Sequence, residues 1–149
     1  MKKSLYLSLF LGCTAGTLAA CGGGGSPNSP SSMTTTSAPP AVDPNPSFAN
    51  VIQPIFERSS CTNSSCHGQA TSAGLDLRAG ASYGNLVNTP ATSEPIVRVI
   101  PGNPDGSYLV IKLEGRQTRG TSMPLGLPRL STTDLTNIRN WIAQGANNN

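Results

Sequence analysis

The chain has 149 residues, of which 16 are glycine, 13 are proline and 5% are aromatic, so it suits one modest, loop-rich domain with a thin core. Its formal net charge of +3 falls to +1 when Lys2 and Lys3, which lie in a predicted leader, are set aside. The other basic residues are scattered and are not interleaved with aromatic residues, which excludes a nucleic-acid-binding patch.

The first twenty residues have the pattern of an export signal. Lys2 and Lys3 form a positive n-region, and the apolar h-region begins with LYLSLFLG. This run is too short, and too rich in Gly and Thr toward its end, for a transmembrane helix. It closes with LAAC, which resembles a bacterial lipobox, and that resemblance implies cleavage before Cys21 and lipidation of this cysteine. We therefore expect a lipoprotein signal peptide at 1–20 and a lipid anchor at Cys21, with an ordinary signal peptide or an uncleaved tail as alternatives.

Residues 21–46 are predicted to be a disordered linker. From Gly22 onward the segment reads GGGGSPNSPSSMTTTSAPPAVDPNP, with one charged side chain and no aromatic residue, so it cannot form a core. It would hold a folded domain, residues 47–149, away from the membrane. Because Gly22 is not the aspartate associated with inner-membrane retention, we expect the outer membrane, facing the periplasm, in preference to the inner membrane.

Amphipathic helices are predicted at both ends of this domain. In SFANVIQPIFERSS the apolar residues recur with helical spacing, Ser47 is the expected N-cap, and Pro54 is expected to kink the helix. In LSTTDLTNIRNWIAQGA, Ser131 and Asp134 resemble a capping box and Gly145 supplies a stop, which predicts a helix at 132–144.

Shorter helical turns are predicted between these two helices, at 81–87 and 107–113. Alternation typical of a strand occurs only weakly, in IVRVI. The expected fold is therefore mainly α, a small helical domain with long loops.

The segment CTNSSCHG contains two of the four cysteines and the only histidine. A histidine directly after the second of two close cysteines is the attachment pattern of c-type haem, usually C-x-x-C-H. The thiols of Cys61 and Cys66 would form thioethers with the haem vinyl groups, and His67 would then lie against the ring as the proximal iron ligand. The spacing here is C-x4-C-H, two residues longer than usual, so the first thioether requires a bulged loop.

Met123 is the predicted distal ligand by elimination. No second histidine exists, Met1 belongs to the leader and Met33 to the linker. A thioether is a suitable ligand for haem iron, and Pro124 favours an extended backbone at residue 123, as in a loop that folds over the ring. The alternative is that this methionine fills the core.

From Ser47 to Ala146 the chain resembles the class I c-type cytochrome domains, in particular those of bacterial lipoproteins. The resemblance is carried, in order, by VIQPIFERSSC running into CHG, GLDLRAGASYGNLVN, VIPGNPDGSYLVIKLEG, a Met-Pro step and LSTTDLTNIRNWIAQGA. It implies a cytochrome c-like fold in which the N- and C-terminal helices cross beside a covalent haem c, with Phe56 and Trp141 in the contact. It also implies the same roles for the cysteines, His67 and Met123. The longer cysteine spacing departs from the family pattern.

The residues leave three alternatives open. Cys61 and Cys66 could instead form a disulfide, which would make the chain a haem-free lipoprotein with a structural or binding role. A zinc site would lack a fourth ligand. A haem left open at Met123 could react with peroxide or bind a gas, although no distal acid or base is apparent. The arginines are expected mostly on the solvated surface, one or two of them pairing with haem propionates: 58, 78, 98, 116, 119, 129 and 139.

The expected function is one-electron transfer by a membrane-tethered, monomeric monohaem c-type cytochrome, which is not an enzyme in its own right. Redox proteins are its expected partners, and a dehydrogenase that passes electrons to it is one possibility. His/Met ligation would raise the reduction potential.

Overall fold

A computed structural model describes residues 40–149, so the predicted signal peptide, Cys21 and most of the predicted linker lie outside the described residues. The described chain contains four α-helices and no β-strand, which confirms the prediction of a mainly α fold. The helices are α1 at Gln53–Arg58, α2 at Ser82–Leu86, α3 at Tyr108–Glu114 and α4 at Thr132–Ala143. Among residues 40–149, no helix is both long and apolar enough to span a membrane.

The first helical segment begins with a π-helical turn, Phe48–Ile52, which continues directly into α1. The hydroxyl of Ser47 accepts the N–H of Asn50 at 3.3 Å, as its predicted N-cap role requires. Pro54 lies in the first turn of α1, where proline is favoured by its fixed φ. The predicted kinked helix is therefore two segments, and the proline lies in the first turn of the second.

Helix α4 begins and ends within one residue of its predicted bounds. The hydroxyl of Ser131 accepts the N–H of Asp134 at 3.1 Å, and Gly145, with a φ of +101°, follows the helix. The Asp134 carboxylate does not complete the capping box but forms an ion pair with Arg58 at the end of α1. This pair links the first and last helices.

The core joins the two terminal helical segments. The ring centroids of Phe48 and Trp141 are 5.1 Å apart, and Tyr83 packs edge-on against Phe48 at 5.2 Å. The indole N–H of Trp141 donates to the carbonyl of Asn147 at 2.8 Å. Phe56 is fully buried in the same core, together with Ile52, Ile55, Leu86, Val99, Val110, Ile138 and Ile142.

The polar face of α4 binds the segment just before the first helix. Asn137 accepts the N–H of Asp43 at 2.7 Å and donates to the carbonyl of Ala41 at 3.0 Å, and Asn140 donates to the carbonyl of Asp43 at 2.9 Å. The last residues of the predicted linker therefore belong to the folded unit.

The middle of the domain is built from turns and short helices, close to the predicted positions. Helices α2 and α3 each begin one residue after the predicted start. In place of a strand, IVRVI contributes two isolated bridges, Val87 to Val99 and Pro90 to Val97. These bridges hold the two ends of the 87–99 segment together.

Candidate functional site

An apolar cleft lies between the segment that follows α1, helix α3 and the loop of residues 123–130. Its interior is about 240 Å³, or about 1220 Å³ when the space out to its open mouth is included. Cys61, Cys66, His67 and Met123 all line it. Most of the remaining wall is hydrophobic and is formed by Phe56, Leu75, Leu77, Leu86, Tyr108, Leu109, Leu113, Leu125, Leu127 and Leu130.

The four residues between the two cysteines fold into a compact loop held by backbone hydrogen bonds. The N–H of Cys66 donates to the carbonyl of Asn63 at 2.9 Å, and the N–H of His67 donates to the carbonyl of Cys61 at 3.1 Å. Because these bonds close the loop on itself, the longer spacing does not separate Cys61 from the Cys66–His67 pair along the cleft wall.

Gly68 allows this loop to close. Its N–H donates to the carbonyl of Asn63 at 3.0 Å, and the residue is buried beneath the loop. A Cβ atom at position 68 would lie 2.3 Å from the carbonyl oxygen of Thr62 and 2.7 Å from that of Asn63. Such contacts are too short for any side chain, so this close approach of two backbone segments requires glycine.

The half-buried His67 ring has a defined orientation. Its Nδ1 lies 3.1 Å from the carbonyl oxygen of Ser72, and because a carbonyl can only accept, Nδ1 carries the proton and Nε2 keeps its lone pair. Burial lowers the pKa of His67, although hydrogen bonds to the backbone at Leu75 and Ser72 oppose this effect. The neutral imidazole is therefore favoured, which is the form that binds a metal through Nε2.

Cys61 and Cys66 are both free thiols. Burial raises the pKa of Cys61 to about 11, with a further contribution from the neighbouring Cys66. Cys61 is therefore protonated at neutral pH and is not an activated nucleophile. In residues 40–149 no three His, Cys, Asp or Glu side chains are grouped closely enough to hold a metal ion.

Met123 lies in a loop, as predicted, and is half-buried against the hydrophobic core. Its N–H donates to the carbonyl of Lys112 at 2.9 Å, which attaches the loop to α3. Further along the same loop, Leu125 and Leu127 also line the cleft and remain 65% and 48% exposed. The loop therefore brings one thioether sulfur and two exposed apolar side chains to the cleft.

Two cations and no carboxylate line the cleft. Arg98 and Lys112 are the cations, and Arg98 is only 6% exposed. Arg98 is therefore the exception among arginines that lie mostly on the solvated surface, as expected. The guanidinium donates to the carbonyls of Asn85 at 2.8 Å and of Ala73 and Gly74 at 3.1 Å each. These carbonyls replace the water that a surface arginine would keep.

The burial of Arg98 and the apolar wall are the parts of the site that sequence reasoning missed. Arg98 is the single charge in IVRVI, between Val97 and Val99, and a lone charge inside an apolar run is the available signal for a buried cation. The wall has no comparable signal, since its members are distributed from Phe56 to Leu130 and meet only when the chain folds.

Comparisons of this chain with protein-family models, with curated proteins and with solved structures found no match.

Proposed function

We propose that the cleft holds a c-type haem and that the protein carries single electrons, as a cytochrome c-like domain would. In this proposal Cys61 and Cys66 form the thioethers, His67 is the proximal iron ligand and Met123 the distal one. The observation that supports it is that all four side chains line one apolar cleft, although Met123 follows Cys66 by 57 residues.

The chemistry of the cleft fits this group. Both cysteines are thiols, the form that adds to vinyl groups, and His67 has its Nε2 lone pair free. Haem iron is commonly held by histidine together with methionine, as in the cytochromes c. The hydrophobic wall would cover the faces of a flat macrocycle and exclude water from it. When bound, the haem supplies reversible one-electron exchange between ferrous and ferric iron.

The chain's own residues would orient the ligands. The Ser72 carbonyl accepts the Nδ1 proton of His67, which fixes the ring plane and makes the imidazole a stronger donor. The backbone bond from Met123 to Lys112 would hold Met123, the proposed distal ligand, against α3. Neither residue would transfer a proton, because electron transfer makes and breaks no substrate bond.

The proposed location follows from the N-terminal sequence. Lipidation of Cys21 would attach the domain to the outer membrane, facing the periplasm, and residues 22–40 would act as the tether. Redox proteins would be the partners of a monomeric carrier. A Cys21→Ser variant should leave the membrane fraction, and retention there would contradict the lipid anchor.

Covalent haem is tested directly on the mature protein, made in a host with c-type haem maturation. The protein should be red and should keep its haem through a denaturing gel. Mass spectrometry of the peptides that contain Cys61 and Cys66 should show the added haem mass. A colourless protein in which these cysteines form a disulfide would instead support the haem-free alternative and rule out the proposed cofactor.

A further inference from the structure

We infer that Arg98, assisted by Lys112, binds carboxylate groups of the molecule in the cleft, so the cleft selects an apolar ligand that carries negative charge. This inference rests on the proposed function, because haem is an apolar ring with two propionate carboxylates.

The first observation is an unbalanced buried cation. Arg98 is 6% exposed and makes no salt bridge within the described residues, and no Asp or Glu lines the cleft. Removing a cation from water without an opposite charge costs free energy, which carbonyl dipoles offset only in part. A carboxylate supplied by a ligand would complete the compensation.

The second observation is the number of donors that Arg98 still has. A guanidinium carries five N–H groups, and the three hydrogen bonds to carbonyls use three of them. These bonds also fix the guanidinium in position, so little side-chain entropy would be lost when a carboxylate binds. Two donors on a fixed cation at a cleft wall suit a carboxylate, which arginine binds with short, charge-assisted hydrogen bonds.

Lys112 adds a second positive charge to the same wall. Its ammonium lies 5.7 Å from the centre of the Tyr108 ring, which also lines the cleft. The charged side chains of the cleft lining are therefore both cations.

The test compares two metal-free ligands that differ only in charge, protoporphyrin IX and its dimethyl ester. The protein is the full chain with Cys61→Ser and Cys66→Ser, so that nothing attaches covalently, and fluorescence gives the two affinities. We expect the diacid to bind more tightly than the ester. Arg98→Gln should reduce the ratio of the two affinities about tenfold, which is the change expected when one charge-assisted hydrogen bond is lost.

The controls separate binding from a structural role. Arg98→Lys should keep most of the preference because it keeps the charge, and Arg78→Gln, at an exposed arginine outside the cleft lining, should leave it unchanged. Equal affinities for acid and ester, or an equal loss of both in Arg98→Gln, would overturn the inference and make Arg98 only a clamp for the backbone.

Two further measurements apply where folding fails. If Arg98→Gln does not fold, the affinities for the diacid and the ester are measured in Lys112→Gln instead. A smaller preference for the diacid in that variant supports the inference, and an unchanged preference overturns it. If the haem-free chain has no helical circular dichroism, the reduction potential of the haem protein is used. It should fall in Arg98→Gln and not in Arg98→Lys or Arg78→Gln, and an unchanged potential in Arg98→Gln would overturn the inference.

Failure of this inference and failure of the proposed function give different results. A colourless mature protein would end the haem proposal, while the preference of the cleft for the diacid would still be measurable. A red protein whose cleft shows no such preference would overturn only the role of Arg98.

Discussion

The backbone N–H of His67 donates a 3.1 Å hydrogen bond to the carbonyl oxygen of Cys61. This bond joins the first and last chemically distinctive residues of the motif across the four-residue spacer. The extra length of the spacer is therefore taken up within the loop, and both cysteines remain on the wall of one cleft. The departure from the usual C-x-x-C-H spacing is compatible with the function that we propose.

Replacing Gly68 with alanine should destabilise the protein by about 2 kcal/mol, because the new methyl group would overlap the backbone carbonyls of Thr62 and Asn63. Denaturant unfolding of the purified variant measures this. Gly84→Ala is the matched control, since position 84 lies in α2 with open space around it and alanine favours a helix. A Gly68→Ala protein as stable as Gly84→Ala would show that the loop does not close as described.

Removing His67 should abolish the low-spin spectrum of the haem protein, because no other histidine exists to replace the proximal ligand. The absorbance spectra of reduced and oxidised His67→Ala measure the change, and peptide mass spectrometry shows whether the thioethers still form. An unaltered low-spin spectrum would remove His67 from the site.

Met123→Leu should leave the haem attached but open the sixth coordination position. Leucine keeps most of the volume of methionine, so packing against the core is largely retained while the sulfur ligand is lost. The variant should bind carbon monoxide in the ferrous state, whereas the parent protein should not. Equal behaviour of the two proteins would assign Met123 to core packing alone.

The thiol of Cys61 in haem-free protein should resist alkylation until high pH. Its pKa of about 11, against an ordinary value of 9.0, reflects burial, so folding favours the neutral thiol. The resulting contribution to stability is complete below pH 9 and is lost as the pH rises through 11. The rate of iodoacetamide labelling of Cys66→Ser, measured against pH for the folded and the denatured protein, gives the pH midpoint of Cys61 ionisation in each state. Equal midpoints would show that this thiol is not buried.

Trp141→Ala should lower the free energy of unfolding by about 3 to 5 kcal/mol, because it leaves a large cavity beside Phe48 between the terminal helical segments. Trp141→Phe should cost less, about 1 to 2 kcal/mol, mainly through the lost hydrogen bond to the Asn147 carbonyl. Urea unfolding measures both, with the exposed Val42→Ala as a control near zero. A loss below about 1 kcal/mol in Trp141→Ala would contradict the assigned core.

The terminal helices could be predicted because their signals are local. Ser47 and Ser131 cap their helices through side-chain hydrogen bonds to residues three positions ahead, and Gly145 follows α4 with a positive φ. The π-helical turn before Pro54 could not be read from apolar spacing, which differs little between the two helix types over five residues.

Features that depend on distant contacts were not predictable. The docking of Asp43 on α4 is decided by Asn137 and Asn140, about one hundred residues away in sequence, and composition alone assigned that segment to the linker. The burial of Arg98 likewise depends on carbonyls at Ala73, Gly74 and Asn85. In contrast, the candidate site residues could be selected from the sequence because their residue types are rare in this chain and can bind haem. They are Cys61, Cys66, His67 and Met123.

The spacer loop also indicates how related sequences would be recognised. Asn63, Ser64 and Ser65 expose their side chains to solvent, while the backbones of Asn63 and Ser64 accept the bonds that close the loop. Selection would therefore act on the number of spacer residues and on the glycine beneath them, and would leave the identities of the exposed positions free to drift. A useful search pattern is C-x4-C-H-G with all four spacer positions unspecified.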